Sequence, residues 1–453
     1  MFDLSFRIVD RFRPFALIAP GFELVDEPGP AALPGLTRTD QSPAAPFAAL
    51  ELEVLDLSGS GVAAGLVTAD GEFVVVAYDP GAGRMTIEVR TAGRTRVLKR
   101  RKTQLTAPFR FGFVLCENQV TGVADTGHGW QPLLTARDNV ARLVDLRDPA
   151  ILSRHTFGYG PRRAGDLLRL GRVRAGAFGY TGLRDPHLVQ HPDGRPYVRD
   201  GRAYLTFTCA GMGFFRQAHW GVFSLDLADP ADLQQVAQVY SARDGLVLGD
   251  HAGQIVVDDE TGTSIVGLSS WGDFDDDGLH VRHTATSDDL LSGVHLLETR
   301  PLHLPTSLSS WDPSFTRIEE RWRVAFVESR SQAPFDFHPA LAAGPPGAAY
   351  DTGLSLVGRD DSMREGEGPI IATVDGGWYV LASNKDKRQY PVYDLGMHRL
   401  GVLDAPYVTN IPHPQIVDAG DGRYLLLTFD GTPYGGKVLG YGGHGDVIVM
   451  RSS

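Results

Sequence analysis

The strongest constraint on the fold is a unit that recurs five times in the second part of the chain. Each copy starts with a polar or charged residue, runs on as an apolar strand, turns at Gly or Asp, and returns as a more strongly apolar strand. In order, Arg184-Asp185-Pro186-His187-Leu188-Val189 leads to 203–208, His251-Ala252-Gly253-Gln254-Ile255-Val256-Val257 to 264–268, and Trp311-Asp312-Pro313-Ser314-Phe315 to 322–327. Glu367-Gly368-Pro369-Ile370-Ile371 then leads to 378–382, and His413-Pro414-Gln415-Ile416-Val417 to 424–429. The lead positions 185, 251, 312, 367 and 413 are spaced by 66, 61, 55 and 46 residues. A four-stranded propeller blade takes about 40–50 residues, so the spacing accommodates five blades with loop insertions. In such a fold the innermost strands line one channel, and equivalent positions converge. Five convergent starts carrying Asp, His, Asp, Glu and His are expected to form a site rather than a packed core.

The region before about residue 165 reads differently. Strand patterns cover 49–55, 61–68, 71–78, 84–90, 94–98 and 109–117, with turn chemistry at Asp70-Gly71, Asp79-Pro80-Gly81 and Ala92-Gly93. Met85, Ile87 and Val89 alternate onto one face, which needs a second sheet to cover it. The chain is therefore read as all-β, with an N-terminal β-sandwich over 1–165 and a five-bladed β-propeller over 166–453. Residues 136–151 and 227–238 supply at most one or two short helices. The 53 Gly and 29 Pro are scattered singly and in turn-like pairs, which suits many short strands.

Several function classes drop out. The formal charge of -12 argues against nucleic acid and anionic membrane as partners. The one dense basic run, Lys99-Arg100-Arg101-Lys102, reads as a solvated strand end rather than a polyanion site. No apolar stretch is long enough to span a membrane. The first residues mix Asp3, Arg7, Asp10, Arg11 and Arg13 with apolar side chains and do not form a secretory leader, so a cytoplasmic location is expected. Cys116 and Cys209 each lie in an apolar run and read as buried free thiols. Homo-oligomer formation is left open.

Asp185, Asp312 and Glu367 bring three carboxylates from three different blades to one place. Carboxylates crowded in a concave site raise at least one pKa, which keeps an acid protonated near neutrality. Acetal hydrolysis needs such an acid for the leaving oxygen and a second carboxylate to act on water or on the sugar.

On these residues, 181–430 resembles the five-bladed β-propeller glycoside hydrolases, especially glycoside hydrolase family 43 and its relatives. The repeated Asp-Pro pairs carry the resemblance, as does Glu367-Gly368-Pro369-Ile370-Ile371 followed by Trp378-Tyr379-Val380-Leu381. It implies Asp185 as general base, Glu367 as general acid, Asp312 as the residue that orients the acid and tunes its pKa, and His413 below the sugar pocket. The chain departs from the family by having His251-Ala252-Gly253-Gln254 in its second unit and by placing the sandwich-like region first.

Around these residues, Arg184 and Arg364 flank the base and the acid and are candidates to hold substrate. Trp271 and Trp311 could stack on a sugar ring, and His251 and His413 could bond hydroxyls or carboxylates. Glu365 is the rival for the acid, because strand alternation places it on the side of Glu367. Asp273, Asp275 and Asp277, followed by Gly278, suit oxygen ligation of a structural calcium, although Thr284 stands where a complete loop has Glu. No cofactor is required for the chemistry. Gly158-Tyr159-Gly160-Pro161 lacks the third Gly of a dinucleotide fingerprint, and no phosphate loop, nucleophile elbow or zinc cluster is present. The expected activity is hydrolysis of a glycosidic bond in a small oligosaccharide or glycoside, with inversion, a furanoside being favoured by the resemblance. The alternatives are a transglycosidase or phosphorylase on the same fold, and a noncatalytic sugar-binding propeller.

Overall fold

The structure is a computed structural model that describes residues 4–30, 33–58, 61–274, 278–420, 422–432 and 445–453. Strands dominate, and Pro149–Leu152, capped by Asp148, is the only α-helix among the described residues. The expected helix near 227–238 is instead a turn followed by strand Leu233–Arg243, whose Ala237 and Val239 bury against the strand His219–Asp226. No helix of the described residues is long and apolar enough to cross a membrane.

Two six-stranded antiparallel sheets form the first region. One runs, in spatial order, Gln131–Ala136, Gln119–Asp125, Phe109–Cys116, Phe47–Ser58, Leu167–Tyr180, Ala16–Pro28. The other runs Thr37–Arg38, His155–Pro161, Val62–Thr68, Phe73–Asp79, Arg84–Thr91, Arg94–Lys102. Alternate residues of both face one core: Leu50, Leu52, Val54, Phe111 and Phe113 from the first meet Val74, Val76, Met85, Ile87 and Val89 from the second. The alternation read from 85–89 therefore has its covering sheet.

Five further sheets follow. Their first strands are Leu183–Leu188, His251–Asp258, Ser309–Ile318, Gly366–Val374 and Gln415–Asp418, and these touch one another in a closed cycle. Apart from an isolated bridge between Gln190 and Val256, the described residues show no backbone pairing between these strands. Side chains bridge them instead. Thr208 Oγ1 accepts from the Ala252 N–H at 3.0 Å, Gln254 Oε1 from Phe315 at 2.5 Å, Ser314 Oγ from Ile371 at 3.1 Å and Gln415 Oε1 from Leu188 at 3.0 Å. A buried N–H left without a partner costs about 1–3 kcal/mol, so each bridge matters.

Sheet membership differs from the expected division at 165/166 in two ways. Phe6–Phe12 is the outer strand of the fifth sheet, paired with Asp446–Ser452, and Arg11 holds Asp446 at 2.7 Å and Asp430 at 2.8 Å. Leu167–Tyr180 belongs to the first region, between Phe47–Ser58 and Ala16–Pro28. A contiguous reading of the sequence misses both, because each pairing joins segments far apart in the chain.

The first region and the first of the five sheets are fused through a buried ring cluster. Phe47 lies 5.0 Å from His219 and 5.4 Å from Tyr240, and Phe178 lies 6.2 Å from His219. Gln238 Nε2 donates to the Phe178 carbonyl at 3.0 Å. Phe47→Ala is expected to cost about 3–5 kcal/mol, read as a lower urea midpoint. His219 is completely buried, and burial pushes its pKa down to about 3. The unfolded chain takes up that proton near pH 6.5, which the folded chain resists. Stability is therefore full above that pH and falls below it by up to about 1.4 kcal/mol per pH unit. His219→Phe should flatten this acid slope in melts between pH 6.5 and 4.5.

Candidate active site

Four of the five inner strands share a local irregularity. Each carries a β-bulge at the same register, between Arg184 and His187, His251 and Gln254, Trp311 and Ser314, and Glu367 and Ile370. The first bulged residue takes left-handed backbone angles: Asp185 has φ 49°, Ala252 52°, Asp312 51° and Gly368 60°. Bulges re-aim side chains, and non-glycine residues hold such angles only under strong local constraint. This register corrects the sequence alignment. Asp185 and Asp312 are equivalent, whereas His251 and Glu367 stand one position earlier, equivalent to Arg184 and Trp311.

The two layers nonetheless meet. His413 Nε2 lies 3.7 Å from Asp185 Oδ1 and 3.5 Å from Asp312 Oδ2. Asp312 Oδ2 accepts from the Gly368 N–H at 3.3 Å, and Glu367 Oε1 accepts from Trp311 Nε1 at 2.8 Å. The Asp312 N–H itself donates to Ser269 Oγ at 2.9 Å. Gly368 cannot carry a side chain here, since a Cβ would come within 2.3 Å of the His413 ring. Arg184 Nε lies 3.9 Å from Asp185 Oδ1, and its guanidinium sits 4.6 Å above the Phe429 ring.

Burial acts to raise the pKa of Asp185, but His413, Arg184, His251 and a hydrogen bond from Thr208 hold it below the usual aspartate value. His413 and His251 are each pushed down to about 4 by burial, against the pull of Asp185. Near neutrality both rings are uncharged, so Arg184 is the standing cation beside Asp185. Burial, helped by the Asp185 charge, pushes Glu367 up to about 7, with the Trp311 hydrogen bond and Arg184 opposing. Asp312 is raised well above its ordinary value by burial and by the charges of Glu367 and Asp185. The site thus holds one carboxylate kept ionised, Asp185, and two carboxyls pushed toward protonation, Glu367 and Asp312, the separation that acid–base chemistry requires.

The remaining expected residues divide. His251 stacks parallel to Trp271 at 5.7 Å and its Nε2 meets the Phe215 carbonyl at 3.2 Å; Trp271 packs on Trp311 at 5.8 Å and on Phe215 at 4.4 Å. Both tryptophans are buried, so they frame the site more than they line it. Arg364 is exposed, and its backbone N–H donates to Asp386 Oδ2 at 3.3 Å; no described contact brings it to the cluster. The rival acid Glu365 is engaged by Lys385. Of the expected calcium ligands, Asp275 and Asp277 lie outside the described residues. Asp273 receives Arg243 Nη1 at 2.7 Å and Nη2 at 2.6 Å, so both its oxygens accept from a guanidinium. Arg243 also grips Asp250, whose Oδ1 accepts from the Gly272 N–H at 2.8 Å, fixing the turn that carries Trp271.

Sequence reading missed Thr208, Ser269 and Ser383. Each sits on the second strand of its sheet, directly opposite Arg184, His251 and Glu367 respectively. A hydroxyl recurring at the end of the second strand is the signal, visible only once the units are aligned by register.

No family model and no curated protein matches this chain. Among solved structures it is similar to a GH43_1 enzyme from Xanthomonas citri, at 16% identity over 59% of this chain and 88% of that one, with a TM-score of 0.42. It is also similar to the inulosucrase from Halalkalicoccus jeotgali bound to kestose, at 13% identity over 56% and 77%, with a TM-score of 0.42. The α-L-arabinanase of Penicillium chrysogenum, complexed with arabinobiose, matches at 9% identity over 94% and 98%, with a TM-score of 0.38. All three TM-scores are low, and the reading of the site rests on its own geometry.

The electrostatics can be checked directly. Asp185→Asn should lower the Glu367 pKa by removing a neighbouring charge, and Trp311→Phe should raise it by removing a bond to the carboxylate. Carboxyl resonances of a carbon-13 glutamate-labelled protein, titrated between pH 5 and 9, report both shifts.

Proposed function

We propose that the chain is a glycosidase, an all-β protein in which a β-sandwich is joined to a five-bladed propeller with its site on the propeller axis. The single observation that carries this reading is the split between Asp185, held ionised beside Arg184, and Glu367, raised to about 7 in the same buried cluster. Glu367 gives its proton to the glycosidic oxygen as the C–O bond breaks. Asp185 takes a proton from the water whose oxygen attacks the anomeric carbon, and solvent then restores both groups. Asp312, bonded to the Gly368 N–H and raised by its neighbours, is a positioning residue for Glu367.

A water-activating base implies inversion, and the first-formed anomer seen by proton NMR tests it. A small oligosaccharide or glycoside, with a furanoside favoured by the Glu367-Gly368-Pro369 resemblance, is the proposed substrate. A purely sugar-binding role would be favoured by carboxyls locked in salt bridges. Among the described residues Glu367 has no ion-pair partner, which supports catalysis. Phosphorolysis finds less support, because Arg330 is spent on Asp361 at 3.5 Å and Asp336 at 3.7 Å.

The test is release of 4-nitrophenol from a panel of aryl furanosides and pyranosides. Glu367→Gln and Asp185→Asn are each expected to lower kcat by about 10²–10⁴-fold on any substrate that wild type cleaves. Activity of wild type should fall as pH rises through about 7, where Glu367 loses its proton. A hit that survives both substitutions would overturn the assignment.

A further inference from the structure

The first region carries a concentration of positive charge for which the proposed chemistry has no use. Strand Arg94–Lys102 holds six basic side chains in nine residues and no acidic one, in a chain whose net charge is -12. It is the edge strand of its sheet and is exposed along nearly its whole length. Several arginines elsewhere are paired: Arg162 with Asp79 and Glu88, Arg174 with Glu23 and Glu51, Arg202 with Asp232. Among the described residues none of the six on this strand is in an ion pair. Six uncompensated charges side by side repel one another, an arrangement that an anionic ligand would relieve.

The fold gives this charge a shape. Across from the basic strand lies Gln131–Ala136, the edge strand of the facing sheet, and Arg101 Nη1 ties the two edges by donating to the Leu133 carbonyl at 2.6 Å. Between the edges runs a groove of about 460 Å³, lined by Lys99, Arg101 and Arg137 among others. Arg137 also lines a second cavity of about 490 Å³, with Arg147, Arg216, Phe214 and Phe215. The guanidinium of Arg137 stands 5.3 Å over the Phe214 ring at this junction. Phe215 lines the second cavity, and its ring stacks on Trp271 while its carbonyl meets His251, one side chain from Asp185. Its acidic lining residues are Glu117, buried and pushed well up by that burial, and the exposed Asp138.

We propose that the groove between the two edge strands and the cavity that shares Arg137 with it form a binding track for an acidic glycan, whose sugars carry carboxylate or sulfate groups, on the side of the Asp185–Glu367 site that Phe215 and His251 face. The choice of a glycan rests on the glycosidase reading. The anionic character rests on the charge and the groove alone. A flat membrane cannot enter a cleft between sheet edges, and the acidic net charge of the whole chain opposes a long nucleic acid. A single glycan strand fits a cleft between two sheet edges.

The test is calorimetric titration of the full chain, carrying Glu367→Gln to block turnover, with hexagalacturonate, a sulfated hexasaccharide and neutral xylohexaose. At least one acidic probe should bind, and which one separates carboxylate from sulfate recognition. Binding should weaken between about 50 and 500 mM NaCl as the charges are screened. Adding Lys99→Glu and Arg137→Glu together should raise Kd by at least about tenfold, or about 1.4 kcal/mol. Lys99→Gln with Arg137→Gln should give a smaller rise, and because both side chains are exposed the melting temperature should not move. The proposal is overturned if neither acidic probe binds, if xylohexaose binds equally well, or if the substitutions leave Kd unchanged. It is also overturned if an oligothymidylate or phosphatidylserine vesicles bind through the same two residues more tightly than either glycan. Acidic-glycan binding lost on charge reversal, with a wild type that cleaves neither the aryl glycosides nor the bound glycan, would uphold the track and reject the glycosidase reading.

Discussion

Five inner strands that touch in a closed cycle but belong to separate sheets leave edge amides that ladder pairing between them does not satisfy, and the rest of the structure follows from how that demand is met. Thr208, Gln254, Ser314 and Gln415 each reach to the next strand of the cycle and accept a backbone N–H there. These polar side chains cannot be replaced by apolar ones of the same size without leaving a buried donor unpaired. The same demand fixes the register between sheets. Where Ser269 and Asp312 make the corresponding bonds, the acceptors are members of the candidate site. Closing the cycle and building the site are therefore one operation.

The bulges bring the site's side chains together into one cluster. In a regular strand Asp185 and Asp312 would each point to the face opposite the residue before it, Arg184 and Trp311. A bulge held in left-handed angles re-aims each one and lets the preceding residue contribute as well, so Glu367 and Trp311 can meet. Gly368 is glycine because His413 occupies the space a side chain would need. Burial then does the electrostatic work: three carboxylates withdrawn from water beside a single standing cation cannot all ionise, and their pKa values separate.

The first region is fused to this machinery and does not hang from a linker. Its ring cluster of Phe47 and Phe178 against His219 and Tyr240 is fully buried. The hairpin turn at Glu117 and Asn118 lines the cavity that Phe215 also lines, so the region contributes wall as well as support.

By itself the sequence determined the all-β class, the alternation that buries Met85, Ile87 and Val89, the five recurring strand pairs, and the identity of Asp185, Asp312, Glu367 and His413 as residues that would meet. Those features are local: period, turn chemistry and residue type are written along a few consecutive positions. The buried free thiols Cys116 and Cys209 were legible for the same reason. What only the tertiary structure decided involves partners distant in the chain. Phe6–Phe12 completes the last sheet, Leu167–Tyr180 returns to the first region, and Leu233–Arg243 is a strand because His219–Asp226 pairs with it. The one-residue offset between His251 or Glu367 and the two aspartates is a matter of bulge register, which depends on the partner strand. Asp273 looked like a metal ligand from its spacing, and became the partner of Arg243 because the fold brought that guanidinium within reach. Arg364, a candidate to hold substrate by its nearness to Glu367, stays in solvent because it lies before the strand Gly366–Val374 begins.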